Sequence, residues 1–317
     1  MQTQNLAMIV QHYTLFPTPL LAEKPTALGE DHFILYGKNL SLDSLLAFQQ
    51  KCGENFLILD CWNQWDYTIA LFKATWQTQY LTFAHGLELD IAPLNFDASL
   101  SQAGLLVMDM DSTIIQMECI DEIAKLAGTG ELVSSITAQA MRGELDFEQS
   151  LRRRVGTLKG APEQILQQVR NNLPLMPGLK KMLTELQKYG WKTAIASGGF
   201  TYFADYLKET LKLDFAVSNQ LAIENGYLTG EVQGDIIDAV YKAETLKSLA
   251  QKWHIDLKNT VAIGDGANDL AMMKMANLGG AFHAKPKVQQ QAQVVVNFAD
   301  LTALLCILSA NDRIKQN

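Results

Sequence analysis

The 317-residue sequence lacks any apolar run long enough to cross a bilayer. The most apolar stretch near the C-terminus, LTALLCILSA, spans ten residues, about half of what a membrane helix needs. The opening residues, MQTQNLAMIVQHY, also lack the basic start and small-residue cleavage site of a secretory leader. Together these absences predict a cytoplasmic protein without a membrane partner.

Cysteine is scarce as well. The four cysteines show no CxxC spacing and are too few to cross-link a chain of this length. They are Cys52, Cys61, Cys119 and Cys306. We therefore expect reduced, mostly buried thiols, as in other cytoplasmic proteins.

Positive charge is in short supply. The net charge is −8 and the sequence pI is near 5.2. Residues 1–100 contain no arginine and only four lysines against ten acidic residues, so most of the negative charge lies there. Nucleic-acid binding needs a basic surface. The composition thus disfavours nucleic acid as a partner, while the oligomeric state, a homo-oligomer included, stays open.

The N-terminal third predicts a small α+β domain over residues 1–100. Its first thirty residues, rich in proline, are expected to be irregular, and a linker is expected at 93–101. Between them the pattern predicts a strand at 32–37, a helix at 41–50 begun by a serine cap, and strands at 55–62 and 65–76. This β-α-β-β order is typical of a ferredoxin-like or ACT-like domain, so a regulatory, amino-acid-binding role is our expectation.

From residue 104 the pattern changes to short apolar strands alternating with amphipathic helices. Residues 105–109, 192–197 and 260–265 are near-continuous apolar runs, as buried parallel strands are. Residues 101–317 are therefore predicted to form an α/β domain with a doubly wound, Rossmann-like parallel sheet. The helical stretch 114–176 is far longer than a strand-to-helix crossover requires, so we interpret it as an inserted helical cap.

Each of the three predicted strands ends in a polar cluster. The clusters comprise Asp109 and Asp111; Ser197, Gly198 and Gly199; and Asp265, Asn268 and Asp269. Ligands of open α/β sheets bind at the carboxyl ends of the strands, so these clusters should meet. Four converging carboxylates would repel one another without a cation, and hard oxygen ligands suit Mg²⁺. Turn chemistry explains one such cluster, but three at strand ends favour a magnesium site.

Lys242 is predicted to lie beside the same magnesium site. It shares one helical stripe with Leu246, Leu249 and Trp253, which points it toward the core. Lysines on apolar faces commonly extend back to solvent. Here an anionic site next to the helix gives an inward lysine a partner.

In order and placement, these motifs resemble the haloacid dehalogenase superfamily. DMDST matches its first motif, Ser197 its second, Lys242 its third and GDGAND its fourth, and the resemblance covers roughly residues 104–300. It implies that Asp109 attacks phosphorus to form an aspartyl-phosphate and that Asp111 acts as general acid and then base.

The same resemblance implies the remaining roles at the phosphate. Mg²⁺ would be held by the Asp109 side chain, the Asp111 main-chain carbonyl and Asp265, with Asp269 supporting from behind. The phosphoryl group would be held by Ser197, Gly198, Gly199, Lys242 and Asn268.

Three longer stretches resemble the phosphoserine phosphatases within that superfamily: DMDSTIIQMECIDEIA, AMRGELDFEQSLRRRV and GDGANDLAMM. This resemblance implies that Glu118 binds the substrate ammonium and Arg154 its carboxylate, with Met141 and Phe147 lining the pocket. It implies hydrolysis of O-phospho-L-serine, the last step of serine biosynthesis. A first-turn helix carboxylate is the structural alternative for Glu118.

Helix geometry separately selects Arg154 from its run of three arginines. At 100° per residue, Arg154 lies about 55° from the centre of the apolar stripe, whereas Arg152 and Arg153 lie about 105° and 165° away. The other two are expected to be solvated. The planar guanidinium of Arg154 would suit a carboxylate.

Two rival functions stay open at this stage. One is phosphoryl transfer to another hydroxy amino acid, because an acceptor other than water can intercept an aspartyl-phosphate. The other is a non-catalytic amino-acid sensor, which the intact pair of Asp109 and Asp111 disfavours.

Overall fold

The computed structural model describes residues 26–316, so most of the segment expected to be irregular lies outside the described residues. Within these residues the chain forms two sheets, one of four strands and one of seven. The prediction of an α+β N-terminal part followed by a doubly wound α/β part is confirmed. The domain boundaries at 100 and 101 and the limits of the cap stay predictions.

The four-stranded sheet has the βαββαβ order of a ferredoxin-like unit. Its elements are β1 (His32–Gly37), α1 (Leu42–Cys52), β2 (Leu57–Gln64), β3 (Tyr67–Lys73), α2 (Gln79–His85) and β4 (Asp90–Pro93). The strand order is β2-β3-β1-β4 and every pairing is antiparallel. Ser41 caps α1, as expected. The sequence pattern did not predict α2 and β4, because seven- and four-residue elements are too short to show a period.

The seven-stranded sheet has the order β11-β10-β9-β5-β6-β7-β8. Its strands are β5 (Leu105–Met108), β6 (Lys192–Phe200), β7 (Phe215–Glu224), β8 (Tyr227–Gln233), β9 (Thr260–Gly264), β10 (Leu278–Phe282) and β11 (Val294–Val296). All neighbours are parallel except β7 and β8, a hairpin at one edge that the sequence pattern did not predict. The central strands β9, β5 and β6 are those that carry the polar clusters at their carboxyl ends.

Helices cover both faces of this sheet and build the cap. Four short helices lie between β5 and α7: α3 (Cys119–Ala127), α4 (Gly130–Met141), α5 (Phe147–Gly156) and α6 (Gln164–Arg170). The others are α7 (Leu179–Lys188), α8 (Thr201–Leu211), α9 (Ala239–Lys252), α10 (Leu270–Met275), α11 (Pro286–Gln289) and α12 (Ala303–Gln316). Over residues 26–316, no helix combines the length and apolar character needed to span a membrane.

The two sheets share a core. One face of the small sheet packs on α1 and α2 through residues such as Phe33 and Phe72. The other face, which includes Tyr36 and Ile69, belongs to the same apolar core as Leu308 of α12. Both faces of the small sheet are therefore buried against helices.

Candidate active site

Asp109, Lys242 and Asp269 form a buried ion-pair triad at the carboxyl end of β5. The Lys242 ammonium lies 2.9 Å from Asp109 Oδ1 and 2.7 Å from Asp269 Oδ1, and the lysine is fully buried. The Met110 amide also donates to Asp109 Oδ1. The two carboxylates raise the pKa of Lys242 against the opposing effect of burial, which keeps it charged.

Asp265 completes a cluster of acidic groups. Carboxylate oxygens of Asp109, Asp265 and Asp269 lie within 4.8 Å of one another. Burial, and then the charge of Asp109, raise the pKa of Asp265 to about 6. Both carboxylate oxygens of Asp269 already accept hydrogen bonds, Oδ1 from Lys242 and Oδ2 from the Gly266 amide. Asp109 uses only Oδ1 for its two donors, so Asp109 and Asp265 are better placed to bind a further ligand.

The donor set of this cluster fits a divalent metal ion. Three buried carboxylates share one buried ammonium, which leaves an excess of negative charge away from water. Carboxylate oxygens are the ligands that hard divalent cations prefer. The site can therefore hold such an ion.

Asp111 lies beside this cluster in a different environment. Its Oδ1 accepts the Cys119 amide at 3.1 Å, and its Oδ2 lies against Gly199, where an added Cβ would come within 2.7 Å of it. Burial, followed by the charges of Glu118 and Asp109, raises the pKa of Asp111 to about 8. The surroundings of Asp111 therefore favour its protonated form.

Ser112 brings Glu118 close to Asp111. Its backbone has a φ of 57°, a left-handed conformation that is uncommon for a non-glycine residue and is found at functional turns. Its hydroxyl donates to Glu118 Oε1 at 2.8 Å. Glu118 stands at the N-cap position of α3, with no side-chain capping bond of its own.

The facing wall is formed near the carboxyl end of β6 by the glycine turn, which consists of Ser197, Gly198 and Gly199. Ser197 is buried, and its Oγ accepts the Gly199 amide at 2.9 Å. A Cβ on Gly198 would lie 2.7 Å from Phe147 Cζ, and one on Gly199 would lie 2.6 Å from Met110 Cε. A side chain at either position would therefore have to displace Phe147 or Met110. Half-buried Asn268 lies close to the same turn.

The cap contributes Arg154 and Phe147 to this region. Arg154 is half-buried while Arg152 and Arg153 are exposed, as the helix geometry predicts. Burial lowers the pKa of Arg154, and the charges of Glu118, Asp121 and Asp111 act against this effect. The guanidinium therefore lies in the field of the acidic residues around Asp111. Phe147, the first residue of α5, covers Gly198.

Met141 differs from the other residues predicted to line the pocket. It is the last residue of α4 and is 72% exposed. In this conformation of the cap, solvent rather than a pocket wall surrounds its side chain, and its role at the substrate stays a prediction.

Two polar residues near the site were missed in the sequence. Lys285 lies 3.7 Å from Asp265 Oδ2 at the start of α11. Asn219 is fully buried on β7, and its side chain donates to the Gly198 carbonyl. Neither belongs to a local motif, because each reaches the site only through the folding of distant segments.

The fold and the site define a class of protein: a doubly wound sheet that carries a carboxylate cluster and one buried lysine at the carboxyl ends of its central strands. Residues 106–274 match the family of haloacid dehalogenase-like hydrolases. Residues 29–93 match a domain family of unknown function, DUF5609.

Several proteins similar to this chain are phosphoserine phosphatases. The chain is 67% identical to a phosphoserine phosphatase of Haemophilus influenzae, over 99% of this chain and 100% of the relative. The crystal structure of an unliganded probable phosphoserine phosphatase from Vibrio cholerae superposes with a TM-score of 0.85 at 48% identity, covering 99% of this chain and 96% of that one. A phospho-aspartyl intermediate analogue of a phosphoserine phosphatase matches at 40% identity with a TM-score of 0.62, covering 65% and 98%. The chain belongs to the phosphoserine phosphatases of the haloacid dehalogenase superfamily, and so is a hydrolase.

Proposed function

We propose that this enzyme hydrolyses O-phospho-L-serine to L-serine and phosphate with Mg²⁺ as its metal ion, the last step of serine biosynthesis. The observation that carries the proposal is the placement of Asp109 against buried Lys242, with Asp111, Glu118 and Arg154 beside it. The 67% identical phosphoserine phosphatase supports the choice of substrate.

Asp109 is the nucleophile in this proposal. Met110 and Lys242 both bind its Oδ1, which fixes the carboxylate and leaves Oδ2 as the oxygen that we assign to attack phosphorus. The bond from phosphorus to the serine oxygen breaks as the bond to Asp109 forms. We assign the phosphoryl oxygens to the Lys242 ammonium, the Ser197 hydroxyl and the amides of Gly198 and Gly199, the Gly199 amide exchanging its bond to Ser197 Oγ for one to phosphate.

Asp111 moves the proton. Burial and the charges of Glu118 and Asp109 raise its pKa and so favour the protonated carboxyl, which donates its proton to the departing serine oxygen. As a carboxylate it then takes a proton from the water that attacks the aspartyl-phosphate. The site is returned to its starting state when phosphate leaves.

Mg²⁺ would be held by the side chains of Asp109 and Asp265 and by the main-chain carbonyl of Asp111, with Asp269 tied to Lys242 behind them. When bound, this ion offsets the repulsion between the carboxylates and the substrate phosphate. The buried excess of negative charge supports a divalent ion, and the oxygen-only donor set favours magnesium.

The cap residues select the serine part of the substrate. Glu118 takes the ammonium and Arg154 the carboxylate, with Phe147 against the chain between them and Met141 moving in when the cap closes. The half-buried position of Arg154 near Asp111 supports this arrangement, because the substrate carboxylate must lie a few ångströms from its phosphate. Asn268, beside Gly198, is assigned to the phosphate end.

The proposal also covers the domain limits of the chain, its location in the cell and its assembly. We place the N-terminal domain at 1–100 and the phosphatase domain with its cap at 101–317, which the separate matches at 29–93 and 106–274 support. The four free cysteines support a cytoplasmic enzyme. A regulatory N-terminal domain and a homo-oligomer stay predictions.

Phosphate release from O-phospho-L-serine tests the function directly. The purified enzyme should release phosphate only when Mg²⁺ is supplied, and homoserine in the reaction should yield no phosphohomoserine. Phosphohomoserine formation would identify a phosphotransferase instead. No turnover of phosphoserine with Mg²⁺ present would overturn the proposal.

A further inference from the structure

The turn that faces the nucleophile is a break in the ladder between β6 and β7. Ala196 pairs with Val217 and Phe200 with Asn219, so residues 197–199 of β6 face a single residue of β7. A bulge of this kind leaves backbone groups without their ladder partners. Buried backbone carbonyls without partners are costly, so another group must satisfy them.

Asn219 supplies the missing partner. Its side chain is fully buried, and its Nδ2 donates to the Gly198 carbonyl at 2.8 Å. Its Oδ1 accepts the amide of Ile237 at 2.9 Å. Since a carbonyl only accepts and an amide N–H only donates, these partners fix which end of the side chain faces which segment.

The second partner leads directly to the catalytic lysine. Ile237 is followed by Asp238, whose side chain caps α9, and Lys242 lies on the first turns of that helix. One buried amide therefore joins the two elements assigned to the phosphate. These are the Ser197–Gly199 turn and the start of the helix that carries Lys242.

We propose that Asn219 is a positioning residue that sets the spacing between the glycine turn and Lys242 around the phosphoryl group. This inference rests on the proposed function, since it assigns both elements to the phosphate. Removing the amide donor should let Gly198 and Gly199 rotate away from the phosphoryl oxygens. Small misplacements of such donors cost large factors in rate.

The Asn219→Asp variant tests this directly, because it keeps an acceptor for Ile237 while losing the donor to Gly198. A second variant, Asn219→Ser, keeps a smaller group that can bond one partner but not both. We expect kcat/KM to fall at least tenfold, by the same factor for O-phosphoserine and p-nitrophenyl phosphate. The inhibition constant for inorganic phosphate should rise in parallel, because the phosphoryl group is what all three share.

Asn259 provides the matched control. It is also buried, accepts the Ser99 amide at 2.6 Å and donates to the carbonyls of Gln102 and Ala103. It stands before β9, at the opposite end of the sheet from the site. Asn259→Asp should lower the melting temperature while leaving kcat of the folded enzyme unchanged.

Different results would refute the phosphatase function and the positioning role of Asn219. Wild-type enzyme that fails to hydrolyse phosphoserine refutes the proposed function. If the wild type is active, three results each overturn the role of Asn219: unchanged kcat/KM per folded molecule, a loss confined to phosphoserine, or variants that lose only folding. Any of these would make Asn219 a purely structural residue.

Discussion

Buried aspartates occur in two regions of this molecule, and their surroundings are opposite. On β4 of the small sheet, Asp90 is 1% exposed and accepts the amides of Asn297, Phe298 and Ala299 at 2.7 to 3.1 Å. At the carboxyl end of the large sheet, Asp109, Asp265 and Asp269 are buried together around one buried lysine, and half-buried Asp111 lies beside them.

The two regions differ in the groups that surround each carboxylate. Burial raises the pKa of Asp90, but all three backbone donors and His85 oppose the rise. At Asp111 the neighbouring carboxylates add to the effect of burial. A buried carboxylate whose oxygens are saturated by backbone donors holds two segments together, whereas a cluster that repels itself is poised to bind a cation and a phosphate.

The largest expected effect comes from Asp109→Asn. We expect phosphoserine turnover to fall by about 10³-fold or more, because an amide cannot form the acyl phosphate. The melting temperature should change little, since the substitution removes one carboxylate from a cluster whose members repel one another, and Lys242 keeps its ion pair with Asp269. Phosphate release and thermal unfolding measure the two quantities. Substantial activity in this variant would refute Asp109 as the nucleophile.

Asp90→Ala should show the reverse pattern. Three backbone amides, of which that of Ala299 is buried, would lose their acceptor, so we expect the free energy of unfolding to fall by about 3 kcal/mol. The activity per folded molecule should remain that of the wild type, because Asp90 lies on the small sheet. Denaturant unfolding combined with kinetics on the folded enzyme checks both expectations. Loss of kcat without loss of stability would break the contrast between the regions.

Arg154→Ala tests whether the Arg154 guanidinium binds the substrate carboxylate. We expect kcat/KM for phosphoserine to fall about 10²-fold, while p-nitrophenyl phosphate, which has no carboxylate, should be affected much less. Arg153→Ala is the matched control, because Arg153 is exposed on the same helix. Equal losses for both substrates would show that Arg154 serves the structure of the cap.

Sequence reasoning succeeded where local patterns carry the information. Strands β5, β6 and β9 are apolar runs ending in motifs, and Lys242 lies on a helical stripe, so both could be predicted from neighbouring residues. Asn219 and Asp90 carry no such signal. Asp90 meets partners more than two hundred positions away, and Asn219 is defined by a bulge in another strand. The exposure of Met141 depends on the position of the cap, which periodicity does not encode.

The smallest expected effect is a pH dependence of the metal-free protein. Asp265, Asp269 and Asp111 have pKa values raised from 3.8 to about 6, 7 and 8, the first cause in each case being burial. The folded state then holds protons that the unfolded chain has already lost, so the free energy of unfolding falls as pH rises from 5 to 8. We expect the melting temperature of the metal-free protein to be lower at pH 8 than at pH 5.

Mg²⁺ should reverse this trend, because it competes with those protons and binds the deprotonated cluster more tightly. The stabilisation by saturating Mg²⁺ should therefore be larger at pH 8 than at pH 5.5, as measured by thermal unfolding with and without the ion. Asp90→Ala should preserve this difference, since its carboxylate lies on the other sheet, while Asp109→Asn should reduce it. An equal shift at both pH values would mean that the cluster is already ionised without a metal. The aspartate cluster would then resemble Asp90, whose carboxylate is stabilised by its hydrogen-bond donors.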